Sequence, residues 1–313
     1  MKKAYTRLHN TNNRGLDTMY QTQDVDMYPS RRSDRPEMAQ RRDPVVYGEL
    51  GGGGGLDAAQ LQSYESKGYV LLESFFDGRE VEELRNEMRR LRHDCTGSQA
   101  DEVIREPGGD EVRSIFAVHI GNAVFRKLAE HRRLRAAVEH ILGGPVYVHQ
   151  SRINFKPGFT GKEFYWHSDF ETWHVEDGMP RMRALSCSIA LEDNYPYNGP
   201  LMVIPGSHKT FVSCVGQTPD QHYKQSLRRQ EYGVPDQDSL SALVSQGGID
   251  TPVGKAGSVV LFDCNVMHGS NSNITPLPRS NVFMVFNSED NRLAPPYSGQ
   301  QPRPAYIAER SGG

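Results

Sequence analysis

The sequence predicts a mainly β fold, a sandwich or barrel, that follows a pair of helices. Short runs rich in β-branched and aromatic residues occupy the chain from Pro145 onward, and glycine- and proline-rich turns separate them. Upstream of Pro145, apolar residues recur at helical spacing instead. With 313 residues, 36% of them hydrophobic and 24% charged, the chain is long and apolar enough to bury a core.

The first predicted helix begins at Asp77, which forms a capping-box pattern with Glu80 three residues later. The second is expected from about Asn122 to Leu142, because Gly143-Gly144-Pro145 then ends it. Each helix has one apolar face that should lie against the core. Those faces comprise Val81, Leu84, Met88 and Leu91 in the first helix and Leu128, Leu134, Val138 and Ile141 in the second.

Five later runs carry the strand pattern. The sequence contains no internal repeat, no GxGxxG motif and no P-loop, so a nucleotide-binding fold has no support. The predicted strands are Val146 to Phe155, Arg183 to Leu191, Leu201 to Ile204, Ser258 to Phe262 and Val282 to Phe286.

The N-terminal segment differs in composition from the rest of the chain. Residues 1–55 are polar and end in five glycines, Gly51 to Gly55, which hold a regular element only at a large entropic cost. We therefore predict a flexible N-terminal segment with a glycine-rich linker, followed by a single domain over residues 56–313. Residues 24–48 contain aromatic and β-branched side chains that could dock on the core, whereas the residues before them are expected to form a disordered tail.

Charge and cysteine content exclude several classes of protein. The net charge of −3 provides no bulk field that favours nucleic acid or an anionic membrane. No run approaches the roughly 20 apolar residues of a membrane helix, and no secretory signal is expected because the N-terminus lacks an apolar region. The four cysteines form no CxxC pair, which favours free thiols in a reducing cytoplasm over a zinc site or disulfides; they are Cys95, Cys187, Cys214 and Cys264.

The segment FYWHSDF, residues 164–170, is the most informative in the chain. Alternate side chains of an extended segment lie on the same side, so His167 and Asp169 can reach one ion. His268, which follows a strand-like run, is the candidate third ligand. Two histidines and one carboxylate that leave coordination positions open are typical of non-haem Fe(II) oxygenases.

Arg279, eleven residues after His268, favours an oxygenase. A guanidinium suits bidentate binding of a carboxylate, and 2-oxoglutarate, which chelates iron through its 2-oxo acid end, needs such a partner at its far carboxylate. Two alternatives stay open at this point. A zinc hydrolase could use the same three ligands, although Arg279 would then have no role, and a catalytically inactive binding module could share the fold.

Several stretches together resemble the ectoine hydroxylases, within the phytanoyl-CoA dioxygenase superfamily. The resemblance covers about residues 24–295 and is most specific around the HxD segment. It rests on residues 28–31 (YPSR), 150–158 (QSRINFKPG), 164–174 (FYWHSDFETWH), 176–178 (EDG), 198–209 (NGPLMVIPGSHK), 262–265 (FDCN), 268–271 (HGSN) and 279–283 (RSNVF).

This resemblance implies a double-stranded β-helix, or jelly roll, with flanking helices. It implies hydroxylation of ectoine to 5-hydroxyectoine, a compatible solute, with Fe(II) as cofactor and 2-oxoglutarate and O2 as cosubstrates, and with release of succinate and CO2. Members of this kind are often dimers, which leaves a homodimer open. By position, His167, Asp169 and His268 match the iron ligands and Arg279 the 2-oxoglutarate anchor, while Asn154, Phe164, Ser186 and Ser270 match residues that line the cosubstrate. Gln150, Arg152, Thr172, Trp173, Phe262, Asn281 and Phe283 match positions around ectoine.

Ectoine is a cyclic amidine with a carboxylate, so it is zwitterionic near neutral pH. Its delocalised cation should favour an aromatic face, and Trp173 is one of only two tryptophans in the chain. Such a contact contributes about 0.5–2 kcal/mol. The alternative within the superfamily is a 2-oxoglutarate-dependent hydroxylase of another small amino-acid-like substrate, because one or two changed side chains would suffice to alter the pocket.

Overall fold

The computed structural model describes residues 26–106, 109–227 and 231–310, and residues 1–25 of the predicted N-terminal segment lie outside them. The strands of the described residues are β1 (Met38–Gln40), β2 (Tyr69–Leu72), β3 (Val103–Arg105), β4 (Val112–Phe116), β5 (Val146–Lys156), β6 (Phe164–His167), β7 (Ala184–Ala190), β8 (Leu201–Val203), β9 (Thr210–Val212), β10 (Val259–Asp263), β11 (His268–Ser270) and β12 (Arg279–Ser288). A seven-stranded antiparallel sheet in the order β2-β10-β7-β12-β5-β4-β3 faces a three-stranded sheet in the order β6-β11-β8.

The five predicted strands are all present, as β5, β7, β8, β10 and β12. Apolar side chains fill the space between the two sheets; from the larger sheet these include Phe262 and Phe283, and from the smaller sheet Leu201 and Val203. The strands that the sequence analysis did not predict are short. The edge strand β2, for example, has four residues and follows directly on a helix, so its apolar pattern does not stand out from that of its neighbour.

The helices lie mainly before β5. The capping box at Asp77 is confirmed, since its side chain accepts hydrogen bonds from the backbone of Arg79 and Glu80. The helices in the described residues are α1 (Ala58–Lys67), α2 (Gly78–Asp94), α3 (Val118–Gly121), α4 (Ala123–Ala129), α5 (Arg132–Leu142), α6 (Asp169–Thr172), α7 (Tyr223–Ser226) and α8 (Gln237–Gly247), and a π-helical turn spans Trp173–Asp177. Five of them, α1, α3, α6, α7 and α8, were not predicted.

The prediction of one helix from Asn122 to Leu142 was wrong, because the chain forms α4 and α5 with a break between them. His131 has an extended backbone at the break. Its ring packs edge-on against Phe76, 5.1 Å between centroids. This contact with a residue far away in the sequence accompanies the break, and local helical spacing could not indicate it.

Residues 26–43, which we name the N-terminal strap, lie on the body of the protein. Tyr28 is 1% exposed, and its ring contacts Phe170 at 5.2 Å. The strap's β1 pairs with β9. Beyond the strap, the glycine run forms a turn in which Gly53 and Leu56 exchange backbone hydrogen bonds. Gly54 has a φ of +63° and approaches α5 so closely that a Cβ would lie 2.3 Å from the carbonyl oxygen of Ala136. The flexibility of this run and the domain boundary at residue 55 stay predictions.

All four cysteines are free thiols, as predicted. None of the helices in the described ranges is long and apolar enough to cross a membrane.

Candidate metal centre and adjoining pocket

Three chain segments bring the predicted metal ligands together. His167 is the last residue of β6 and His268 the first of β11, and the two are direct partners in the antiparallel pair. Their imidazole centroids are 4.2 Å apart. After the extended residue Ser168, Asp169 begins α6. The predicted side-by-side placement of His167 and Asp169 is therefore observed, with the difference that Asp169 belongs to a helix rather than to the extended segment.

The donor atoms of this cluster fit a metal ion. One ligand atom from each residue lies within 4.8 Å of the other two. Nε2 of His167 is 3.7 Å from Oδ1 of Asp169, and Nε2 of His268 is 3.9 Å from Oδ2. Each imidazole donates its Nδ1–H to a backbone carbonyl two residues earlier, at 2.7 Å for His167 and 3.1 Å for His268. These bonds fix the tautomers and leave both Nε2 lone pairs for a metal.

The protonation states also suit metal binding. Burial and the neighbouring His268 lower the pKa of His167 to about 4, so its imidazole is neutral at physiological pH. Burial opposes ionisation of Asp169, but the imidazoles, Arg152 and a hydrogen bond from Ser186 hold the pKa of this carboxyl below its usual value. Ser186 Oγ donates to Oδ2 of Asp169 at 3.2 Å. A neutral imidazole beside a carboxylate is the form in which these groups coordinate a divalent ion.

The inner face of the larger sheet forms the floor of the site because side chains alternate along each strand. On β5, Ile153 and Phe155 face the helices and belong to the main apolar core. The alternate positions point towards the smaller sheet, and the same alternation holds on β12. The inward residues are Gln150, Arg152, Asn154 and Lys156 on β5 and Arg279, Asn281 and Phe283 on β12.

Arg279 and Lys156 are direct cross-strand partners at one end of this face. Arg279 is 4% exposed, and its Nε and Nη1 have no hydrogen-bond partner among the described residues. Burial lowers the pKa of Arg279 to about 10. Nζ of Lys156 donates to Ser270 Oγ at 2.7 Å and to the carbonyl oxygen of Asn271 at 2.6 Å. Unsatisfied buried donors are costly, so this arrangement is suited to a bound anion.

The remaining residues predicted for the cosubstrate occupy the same region. Asn154 accepts a hydrogen bond from Ser114 at 2.8 Å. The ring of Phe164 lies 3.7 Å below the guanidinium of Arg113 and 5.4 Å from Nζ of Lys156. Ser270 and Ser186 instead contact Lys156 and Asp169, as described above.

A cavity of about 90 Å³ opens beside the metal cluster. Four of the seven residues predicted around ectoine line it: Gln150, Arg152, Thr172 and Trp173. The other three lie around these residues. Phe262 is 5.0 Å from the His268 ring, and Phe283 is 4.9 Å from the Arg152 guanidinium. Asn281 donates to Ser188 at 2.8 Å.

Sequence analysis missed several residues at this site. Lys156 could have been found, since it continues the inward alternation of β5. The other missed residues come from distant segments whose approach only the folded chain reveals, and they line the cavity: Ser114, Phe116, Glu176, Tyr232 and Arg303.

Comparison with known protein sequences identifies relatives of this chain. A family model described as phytanoyl-CoA dioxygenase (PhyH) matches residues 64–281. The ectoine dioxygenase of Bordetella parapertussis is 59% identical over 285 residues, which are 91% of this chain and 92% of that protein. The ectoine dioxygenase of Stutzerimonas stutzeri is 55% identical over 286 residues, with 91% and 95% covered.

Solved structures agree with the sequence comparison. EctD from S. alaskensis with 2-oxoglutarate and 5-hydroxyectoine is similar with a TM-score of 0.83 and 48% identity, over 91% of this chain and 95% of that chain. The same protein with bound Fe gives a TM-score of 0.82 and 47% identity, over 92% and 96%. The predicted jelly roll with flanking helices is thereby confirmed.

Proposed function

This chain belongs to the phytanoyl-CoA dioxygenase family, and we propose from this premise that it hydroxylates ectoine to 5-hydroxyectoine with Fe(II), 2-oxoglutarate and O2. Succinate and CO2 are the other products. One observation carries the proposal: the His–Asp–His cluster lies beside a sheet face that ends in the buried, unpartnered guanidinium of Arg279.

His167, Asp169 and His268 would hold Fe(II), which activates O2 when it is bound. The protein orients the two imidazoles through their backbone hydrogen bonds. Ser186 orients the carboxylate of Asp169 by donating to one of its oxygens. With three ligands from the protein, the bound ion would still be accessible to the 2-oxo acid and O2.

Arg279 and Lys156 would bind the far carboxylate of 2-oxoglutarate. The guanidinium presents two free donors in a plane, which matches the two oxygens of a carboxylate. Ser270 would add a hydroxyl, since it already lies 2.7 Å from Nζ of Lys156. Asn154 and Phe164 would line the chain of the cosubstrate, and Ser186 would lie near its chelating end.

The cavity provides opposite charges for a zwitterion. Arg152, which is partly buried and makes no salt bridge with a described residue, would pair with the carboxylate of ectoine. Trp173 and the carboxylate of Glu176 would face its amidinium group. Gln150, Thr172 and Asn281 would supply polar contacts, while Phe262 and Phe283 would exclude water from the reacting carbon.

The size of the cavity favours a small substrate. Its volume of about 90 Å³ is far below the roughly 300–1,000 Å³ of pockets for drug-sized ligands. An acyl-coenzyme A ester is therefore a poor fit. The alternative substrate is another small amino-acid-like compound, which the same charges would accept. A zinc hydrolase or an inactive binding module would leave Arg279 and Lys156 without a partner.

The test is a stepwise assay of the full chain. Fe(II) and 2-oxoglutarate are added under anaerobic conditions, then O2 with either ectoine or proline, and the products are analysed by mass spectrometry. We expect one added oxygen atom in ectoine and one succinate per turnover. Absence of ectoine-stimulated O2 uptake would refute the proposal, uptake with proline alone would favour the alternative substrate, and turnover with Zn²⁺ in the absence of O2 would favour a hydrolase.

Two further features belong to this proposal. We place the enzyme in the cytoplasm, which the four free thiols support. We also propose a homodimer, which light scattering coupled to size-exclusion chromatography tests directly; a mass of 35.2 kDa would indicate a monomer instead.

A further inference from the structure

A buried arginine of the N-terminal strap forms hydrogen bonds with the helical segment that follows Asp169, one of the candidate metal ligands. Arg31 is 5% exposed. Its Nε and Nη2 donate to the two carboxylate oxygens of Glu171 at 3.0 and 2.7 Å, and its Nη1 donates to Glu176 at 2.6 Å. Its Nη2 also lies 3.3 Å from the hydroxyl of Thr172. One guanidinium thus joins two carboxylates of the segment that carries the substrate-facing residues.

The helical geometry explains why one side chain can bond both carboxylates. Between Glu171 and Glu176 the chain changes from α6 to the π-helical turn. In a continuous α-helix, residues five apart point roughly 140° away from each other. A π turn closes its hydrogen bonds over five residues, so residues at that spacing point to similar sides. Thr172 and Trp173 lie at the point where the α-helix changes to the π-helical turn, between the two carboxylates that accept hydrogen bonds from Arg31.

The position of Arg31 is fixed by several independent contacts. Its backbone adopts a φ of +56°, a left-handed conformation that is uncommon for a residue with a side chain. The backbone N–H donates to the carbonyl oxygen of Cys214 at 2.8 Å, and Nη1 also donates to Thr218 at 2.7 Å. The hydroxyl of the preceding residue, Ser30, donates to Glu171 at 2.6 Å. The strap therefore holds the guanidinium rigidly against the helix.

We infer that Arg31 is a positioning residue for the substrate. Its hydrogen bonds to Glu171 and Glu176 span the point where the α-helix changes to the π-helical turn. These bonds set the orientation of Thr172 and Trp173 towards bound ectoine. This inference rests on the proposed function. None of the hydrogen bonds of Arg31 reaches the three metal ligands or the 2-oxoglutarate end of the sheet. Its effect should therefore be confined to the substrate side of the pocket.

Arg31→Lys tests the inference, because lysine keeps the positive charge but lacks the planar guanidinium group that donates hydrogen bonds to both carboxylates. We expect the KM for ectoine to rise about tenfold or more, with kcat within about threefold and the KM for 2-oxoglutarate unchanged. The matched control is Arg32→Lys, since the side chain of Arg32 is 53% exposed and pairs with Asp26 at the surface. The control should keep the wild-type KM for ectoine.

A spectroscopic measurement separates positioning from general stability. The chain has two tryptophans, so a Trp166→Phe background leaves Trp173 as the only indole emitter. Adding Arg31→Lys to this background should shift the emission of the ligand-free protein, whereas Arg32→Lys should not. This readout does not depend on ectoine turnover, so it still tests the role of Arg31 if the wild type fails to convert ectoine and the proposed function falls.

Glu171→Gln provides a second variant, because it removes one of the two bonded carboxylates at a residue that does not line the cavity and leaves the Arg31–Glu176 pair intact. This variant should also raise the KM for ectoine, and it tests the role of Arg31 if Arg31→Lys does not fold. The inference is overturned if the folded variants keep the wild-type KM for ectoine and the emission of Trp173. It is equally overturned if the KM for 2-oxoglutarate rises as much as that for ectoine, since that result marks a general structural role.

Discussion

Lys156 and Arg279 face each other as direct partners on β5 and β12, and both basic side chains are buried. Burial and the charges of Arg279 and Arg113 lower the pKa of Lys156 to about 6. Like charges at such a cross-strand position are destabilising, which favours the neutral amine of Lys156 in the ligand-free protein. A dianionic cosubstrate would offset this repulsion and favour the charged form of Lys156.

This pair predicts that 2-oxoglutarate binding takes up a proton. Free Lys156 is mostly neutral above pH 6, while a bound carboxylate favours its charged form, so affinity should fall as pH rises above 6, by up to about tenfold per unit. Calorimetry of the anaerobic Fe(II) protein in buffers of different ionisation enthalpy measures the uptake. The Lys156→Met variant should show none. Equal proton uptake by the two proteins would contradict the role assigned to Lys156.

The guanidinium fork of Arg279 gives a second prediction. Arg279→Lys keeps a cation but loses bidentate binding, so the KM for 2-oxoglutarate should rise about 10- to 100-fold. Steady-state succinate formation measures the change. Arg292→Lys is the control, because Arg292 is exposed and pairs with Glu289 on a surface turn. An unchanged KM in Arg279→Lys would show that the carboxylate binds elsewhere.

Trp173 should contribute to the binding of ectoine through its aromatic face. Trp173→Leu is expected to raise the KM for ectoine about 2- to 30-fold, which corresponds to about 0.5–2 kcal/mol. Trp166→Leu is the matched control, since Trp166 packs against a separate apolar cluster that includes Ile204 and Met267. The control should lower stability and leave the KM for ectoine near that of the wild type. The opposite pattern would remove Trp173 from the substrate site.

Ser186 should act through the carboxylate to which it donates. Ser186→Ala is expected to weaken Fe(II) binding about 10- to 100-fold, because the partners that orient metal ligands contribute that much. Anaerobic metal titration monitors the effect. Ser188→Ala on the same strand is the control, since Ser188 bonds Asn281 instead. If both variants bind Fe(II) alike, Ser186 has no part in orienting Asp169.

His208 predicts a loss of stability in acid. Burial lowers the pKa of His208 to about 4, and its Nε2–H donates to the carbonyl oxygen of Glu65 at 3.1 Å. The unfolded chain binds more protons between about pH 6.5 and pH 4, so stability falls as pH falls through this window. Urea unfolding should show about 2 kcal/mol less stability at pH 5 than at pH 7 from this residue. His208→Gln should flatten the slope, whereas His93→Gln, at a side chain that is 90% exposed, should leave it unchanged.

Local sequence patterns predicted those site residues whose positions follow from the alternation of side chains along a strand. His167, Asp169 and His268 stand beside recognisable strands, and their convergence is observed. Arg279 lies on β12 as the partner of Lys156. Lys156 follows from the same alternation once Asn154 is placed facing inwards. Local patterns do not predict the backbone geometry where contacts between two distant segments determine it. The helix break at His131 accompanies a contact with Phe76, and no local pattern reveals it.

The segment from Glu171 to Glu176 illustrates the same limit. Its composition indicates neither a π turn nor an arginine partner. That partner lies about 140 residues upstream, in the part of the N-terminal segment that was predicted only as able to dock on the core. Long-range ion pairs of this kind depend on the folded path of the chain, which residue spacing does not encode.

The strap has a practical consequence for anyone who wishes to shorten this enzyme for biocatalysis. The glycine run looks like a natural place to trim, yet a version that starts at Leu56 would discard Arg31 and leave the carboxylate of Glu171, 1% exposed, without its counter-charge. Removing one partner of such a buried pair costs about 3–5 kcal/mol. A shortened version should therefore keep the strap from Asp26 onward, and residues have to be removed elsewhere in the chain.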